Sequence, residues 1–109
     1  MKRIGRVIGL NAADIPEYKR LHAAVWPEIL ALLRQAGMRI YSIFLKEPEN
    51  LLFAYLEYDG SDLEKDNLII AASGDMKRWW ELTDPMQRPL DTRKPGEWWA
   101  DMEEVFHTD

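Results

Sequence analysis

Two stretches decide the fold: Met38-Arg39-Ile40-Tyr41-Ser42-Ile43-Phe44-Leu45-Lys46 and Leu51-Leu52-Phe53-Ala54-Tyr55-Leu56-Glu57-Tyr58, separated only by Glu47-Pro48-Glu49-Asn50. Both are short, rich in β-branched and aromatic residues, and bounded by turn formers. That combination predicts a β-hairpin closed by a four-residue loop. Side chains of a strand alternate between its two faces. Tyr41, Ile43 and Leu45 therefore share one face of the first strand, with Ile40 and Phe44 on the other. In the second strand, Leu51, Phe53 and Tyr55 oppose Leu52, Ala54 and Leu56. An antiparallel sheet with one wet face should alternate apolar and polar residues. This hairpin is apolar on both faces, so each face needs a cover.

Upstream, Arg3 to Leu10 is rich in Ile and Val and predicts a strand. Asp14 and Glu17 have the spacing of a capping box, and Pro16 suits a first helical turn. The helix beginning there carries Tyr18, Leu21, His22 and Val25 at three- to four-residue spacing. Pro27 interrupts it and opens a second helical segment to Gln35, closed by Gly37. Downstream of the hairpin, Ser61 to Ala72 and Asp75 to Thr83 read as helices, with Ser61 and Asp75 as N-caps and Gly74 between them. Pro85, Pro89 and Pro95 mark an irregular stretch, and Asp101 to His107 reads as a closing strand. The order β-α-β-β-α-β predicts an α+β, ferredoxin-like sandwich, an antiparallel sheet with helices on one face. A second copy of the chain is the expected cover for the other face, because closed two-fold dimers are the commonest oligomers.

The whole chain, residues 1–109, suits one domain. Its 19 acidic against 14 basic residues leave a net charge of −5, which argues against a nucleic-acid partner. The pairs Lys19-Arg20, Lys77-Arg78 and Arg93-Lys94 are scattered among acids and make no basic face. The absence of cysteine removes disulfides, thiolate catalysis and cysteine-based zinc sites together. No apolar run approaches the ~18 residues of a membrane span. Met1-Lys2-Arg3 starts like a signal peptide, but Arg6 breaks the apolar stretch and no small-residue cleavage site follows. A soluble, cytoplasmic protein is expected.

The catalytic inventory is short. His22 stands four residues after Tyr18, so on a helix the two side chains share a face, with Cβ atoms roughly 5–6 Å apart. An imidazole can donate and accept protons near neutrality, and a phenol beside it can hold a hydroxyl or orient the ring. A lone helical histidine also serves structure alone, and spacing does not separate the two readings. His107 reads as a strand-end residue with a local partner. Two histidines without metal-ligand spacing do not suggest a metal site, and no phosphate-binding glycine loop or nucleophile elbow is present. The five tryptophans include two adjacent pairs, Trp79-Trp80 and Trp98-Trp99. Neighbours on a helix point about 100° apart, so only one of Trp79 and Trp80 can face the core squarely. The other must cover a groove, a ligand or a partner, and an indole offers a sugar ring a broad apolar wall with one N–H donor.

Taken together, Glu17-Tyr18-Lys19-Arg20-x-His22, Trp26-Pro27-Glu28, Tyr41-Ser42-Ile43, Asn50-Leu51-Leu52-Phe53-Ala54, Arg78-Trp79-Trp80, Thr83-Asp84 and Glu104-Val105-Phe106-His107 resemble the L-rhamnose mutarotase family. These pieces span nearly the whole chain in the family's order. The resemblance implies a cytoplasmic homodimer arranged as a dimeric α/β barrel. It also implies interconversion of the α and β anomers of L-rhamnose, or a closely related 6-deoxy aldose, with no metal or organic cofactor. By the same resemblance, His22 is the catalytic proton donor, and Tyr18, Tyr41, Trp79 and Trp80 bind the sugar. The chain departs from the family pattern at Asn67, at Glu81-Leu82, and from Arg88 to Ala100, where Trp98-Trp99 falls.

Anomer exchange opens the ring hemiacetal, rotates C1–C2 and recloses on the other face of the aldehyde. A proton must reach the ring oxygen as another leaves the anomeric hydroxyl, which is work for a general acid–base group. The expectation is that His22 protonates the ring oxygen while a tyrosine or water handles the anomeric proton. The same fold also carries cofactor-free monooxygenases, haem-degrading proteins and passive ligand-binding modules, so these stand as alternatives.

Overall fold

The computed structural model describes all residues, Met1 to Asp109. Strand β1 (Lys2–Leu10) leads through a 3-10 turn (Ala12–Asp14) into helices α1 (Ile15–Ala23) and α2 (Pro27–Gln35). The hairpin β2 (Met38–Lys46) and β3 (Leu51–Tyr58) follows, with the boundaries read from sequence. Helices α3 (Leu63–Ala72) and α4 (Gly74–Thr83) precede two short strands, β4 (Gln87–Arg88) and β5 (Ala100–Met102). All strand pairs are antiparallel, in the order β2-β3-β1-β4, with β5 also on β1. The result is a mixed α/β fold: a curled sheet with four helices, a half-barrel.

The helices pack on one sheet face. Ile4, Leu56 and Tyr58 join Ile29, Ile70, Met76 and Trp79 in the larger core, while Ile8, Leu10 and Leu52 meet Ile15 and Tyr18 in the smaller. The opposite face is open. There Phe44 stands across from Phe53 and Ser42 from Tyr55, Phe44 is 65% exposed, and Leu51, Phe53 and Tyr55 are only half-buried.

Two glycines shape the frame. Gly37, at φ +86°, ends α2 in the left-handed region, which side chains rarely adopt. Gly9 lets β4 approach β1, since a Cβ there would stand 2.8 Å from the Arg88 carbonyl oxygen.

Several local expectations need correction. Asp14 does not cap α1, because the 3-10 turn already holds it in helical conformation, and its carboxylate takes a hydrogen bond from Asn11 Nδ2 (3.2 Å). Glu17 pairs forward with Arg20 instead of reaching back, so no capping box forms. Helix α1 also stops at Ala23, leaving Val25 outside it. Asp62, not Ser61, caps α3 by accepting from the Lys65 N–H (3.1 Å). Ser73, not Asp75, caps α4 through the Met76 N–H (3.3 Å), because Asp75 is held by Arg78 one turn on. The closing strand is three residues long, not seven. Beyond Met102, Glu104 bonds the Arg3 guanidinium side on (2.8 Å) and ladder pairing gives way, leaving Val105 and Phe106 exposed.

Candidate active site

Helix α1 supplies the first two groups. Its pitch stacks the Tyr18 and His22 rings, centroids 4.1 Å apart and planes at 24°. His22 Nδ1 lies 2.8 Å from the Tyr18 carbonyl oxygen. A carbonyl only accepts, so Nδ1 carries the hydrogen and, in the neutral ring, Nε2 carries the lone pair. Trp79 of α4 meets His22 edge to face at 5.3 Å and is itself backed by Trp26 at 5.1 Å. The imidazole is thus held in one orientation by a hydrogen bond and two rings. Burial pushes its pKa below the ordinary imidazole value, against the smaller upward pull of the Tyr18 carbonyl, so the ring is neutral at pH 7.

Strand β2 supplies Tyr41 through a defect in the ladder. Arg39 pairs with Glu57 and Ser42 with Tyr55, so Ile40 and Tyr41 together stand against the single Leu56. Ile40 takes up the extra residue in the left-handed region, at φ +50°. This bulge shifts Tyr41 and Ile43 together onto the helix-covered face that Met38 also occupies, where the two line one cavity. Tyr41 is 41% exposed as a whole residue. Loss of water around its hydroxyl nevertheless pushes its pKa up, partly offset by the nearby Arg6 charge.

The third contribution comes after α4. Tyr18, His22, Tyr41, Trp79, Trp80, Thr83, Asp84, Gln87, Trp98 and Trp99, with Ile43, line a cavity of about 380 Å³. That volume falls in the ~300–1,000 Å³ range of small-molecule sites. All five residues expected from sequence are among them. Trp79 is 7% exposed and Trp80 36%, so the pair divides as helix geometry requires: one ring in the core, the other on the cavity wall. A larger, mostly apolar cavity of about 550 Å³ adjoins it, sharing His22, Tyr41, Trp79 and Trp80 and running between α2 and the sheet past Arg6. The polar groups, Thr83, Asp84 and Gln87 beside the two phenols and the imidazole, gather on the smaller cavity.

Thr83, Asp84, Gln87, Trp98, Trp99 and Arg6 were not read as site residues from sequence. Thr83-Asp84 carried a signal as part of the family resemblance, and Trp98-Trp99 as a second indole pair. Arg6 could have been found as a charge at an inward strand position, whereas Gln87 lies in the proline-rich stretch, where no periodicity points anywhere. Asp84 closes α4 and forms no hydrogen bond through its carboxylate, whose pKa burial raises. Burial also pushes the Tyr18 phenol up to about 12, opposed by the hydrogen bond from Gln87 and aided slightly by nearby Tyr41. His107 takes no part: it is exposed and bonds Asp109 at 2.9 Å.

The family model for L-rhamnose mutarotase matches residues 3–108. An L-rhamnose mutarotase from Lactiplantibacillus plantarum is 34% identical over 109 residues, covering all of both chains. The L-rhamnose mutarotase from Oceanobacillus iheyensis is 35% identical over the same span, again complete on both sides. Among solved structures, an L-rhamnose mutarotase from Formosa agariphila superposes with a TM-score of 0.79 at 28% identity, covering 100% of each chain.

Proposed function

The chain belongs to the L-rhamnose mutarotase family, and from that premise we infer that it is an isomerase interconverting the α and β anomers of L-rhamnose. The observation that carries the site is the convergence of His22, Tyr18, Tyr41, Trp79 and Trp80 on one cavity, with one imidazole nitrogen committed to a carbonyl and the other left for the substrate.

Ring opening requires a base at the anomeric hydroxyl and a proton for the ring oxygen. Neutral His22 is the base: Nε2 takes the anomeric proton as the bond from C1 to the ring oxygen breaks and the aldehyde forms. A phenol or water delivers the other proton. After rotation about C1–C2, reclosure reverses both transfers, and the imidazolium returns its proton to the new anomeric oxygen. His22 is therefore acceptor in opening and donor in closing, which exchanges the roles expected from sequence, where His22 protonated the ring oxygen and a tyrosine or water handled the anomeric proton. The Trp80 and Trp98 rings wall the cavity, and the adjoining apolar space supports a substrate that ends in a methyl group. The reaction forms no covalent intermediate and needs no metal or organic cofactor.

The strand order β2-β3-β1-β4, antiparallel throughout, supports a ferredoxin-like description. The open apolar face supports a homodimer in which two sheets close an α/β barrel. The cysteine-free composition supports a cytoplasmic setting. No helix is long and apolar enough to cross a membrane. The monooxygenase and passive-binding alternatives draw no support from the relatives named above, all of them mutarotases.

Exchange NMR on equilibrated L-rhamnose, extended to a small panel of aldoses, tests the reading. The wild-type chain is expected to accelerate anomer exchange, and His22→Ala to lower kcat/KM by roughly 10²–10⁴-fold. A folded His22→Ala variant with wild-type exchange would remove His22 from this role.

A further inference from the structure

We propose that Gln87 and Trp98 form a positioning arm that turns the Tyr18 hydroxyl into a hydrogen-bond donor to the ring oxygen of the sugar. This deepens the catalytic reading above and rests on it. Trp98 Nε1–H, which can only donate, lies 2.7 Å from Gln87 Oε1. That contact settles which way the amide points: its oxygen faces Trp98 and its NH₂ faces Tyr18. Gln87 Nε2 then donates to the Tyr18 hydroxyl oxygen at 3.3 Å. With its oxygen accepting there, the phenol must direct its own hydrogen elsewhere. The rest of the ring is walled by Ile8, Leu10 and Leu52, and no protein acceptor takes that hydrogen, so the open direction is the cavity.

The placement comes from the sheet. Gln87 pairs with Leu10 across β1 and β4, and is 8% exposed with both ends of its amide bonded. Next to the directed Tyr18 hydroxyl stands His22, whose free nitrogen accepts. A donor and an acceptor on stacked rings 4.1 Å apart match a hemiacetal carbon, which presents one O–H and one ether oxygen. In opening, His22 Nε2 takes the anomeric proton, Tyr18 gives its proton to the ring oxygen, the bond from C1 to that oxygen breaks, and C1=O forms. The Gln87 N–H stays on the Tyr18 oxygen and stabilises the charge that develops there. On closure both protons return.

Gln87→Glu is the discriminating variant. It keeps the shape and the bond from Trp98, but presents Tyr18 with an acceptor, so the phenol donates to Glu instead of the sugar. Polarimetry from a freshly dissolved single anomer gives kcat and KM. The expected result is a loss in kcat of roughly 10–100-fold with KM within about twofold of wild type, and no further loss when Gln87→Glu is added to Tyr18→Phe. Wild-type kcat in Gln87→Glu, or an undiminished second loss on the Tyr18→Phe background, overturns the arm while leaving His22 catalysis intact. No acceleration by the wild-type chain would instead sink the catalytic reading, and the arm with it. If Gln87→Glu fails to fold, Trp98→Phe at the cavity rim carries the test. It frees the amide to turn, with an expected several-fold loss in kcat that vanishes on the Tyr18→Phe background. An unchanged kcat in Trp98→Phe overturns the arm.

Discussion

At position 22 the chemistry is set by which nitrogen is already occupied. The Tyr18 carbonyl holds Nδ1, so in the proposed mechanism the ring would act through Nε2 and only while neutral. Protonation abolishes the base, and burial resists protonation, so activity should survive as pH falls below the ordinary imidazole value of about 6.5 and fail only further down. A kcat/KM profile whose acid inflection lies at or above that value would contradict a buried, neutral His22. No alkaline loss from Tyr18 is expected near pH 10, since its proton is held to about 12. Ile40 is the strained counterpart. A β-branched residue in the left-handed region costs about 1–2 kcal/mol, and its side chain is exposed. Ile40→Asn, which tolerates that conformation, should raise stability by about 1 kcal/mol, or ~4–8 °C in Tm by calorimetry. A lower Tm would mean that the Ile40 side chain makes a stabilising contact in the assembled protein.

Elements divide the labour between stability and binding. On α4 the adjacent indoles differ in exposure, Trp79 in the core and Trp80 on the cavity. Trp79→Ala should cost about 3–5 kcal/mol of folding stability, read by denaturant unfolding. Trp80→Ala should leave unfolding nearly unchanged and raise KM by roughly 10-fold, because it removes a wall and not a support. Equal destabilisation by both would contradict this division. The bulge in β2 is the other device at this scale. It shifts the phase of one strand by a residue, and only that shift puts Tyr41 and Ile43 on the same side as the tyrosine and histidine of α1.

For the molecule as a whole, the open sheet face is the surface through which the proposed homodimer would assemble. Phe44, Phe53, Leu51 and Tyr55 present a half-exposed apolar surface, and Arg3–Glu104 ties the start of the exposed C-terminal tail near its edge. A homodimer burying this face should dissociate on Phe44→Glu, which places a charge against the partner sheet. Sedimentation velocity should then report monomer in place of dimer at the same protein concentration. A Phe44→Glu chain that sediments like wild type would locate the interface elsewhere.

Local patterning alone determined the hairpin to the residue, the break at Pro27, the two-sided apolar sheet, and the sharing of one helix face by Tyr18 and His22. Each follows from neighbours within a few positions, through side-chain alternation, helical pitch or the missing N–H of proline. The family resemblance added Tyr41, Trp79 and Trp80. Only tertiary structure decided the caps, where Asp62 and Ser73 were better placed than Ser61 and Asp75, and the length of the last strand. It alone brought Gln87 and Trp98 to Tyr18, positions 69 residues apart in the first case. The hydrogen bonds that run from Trp98 through Gln87 to the Tyr18 phenol join segments with no periodic relation along the chain, and they exist only once β4 has found β1.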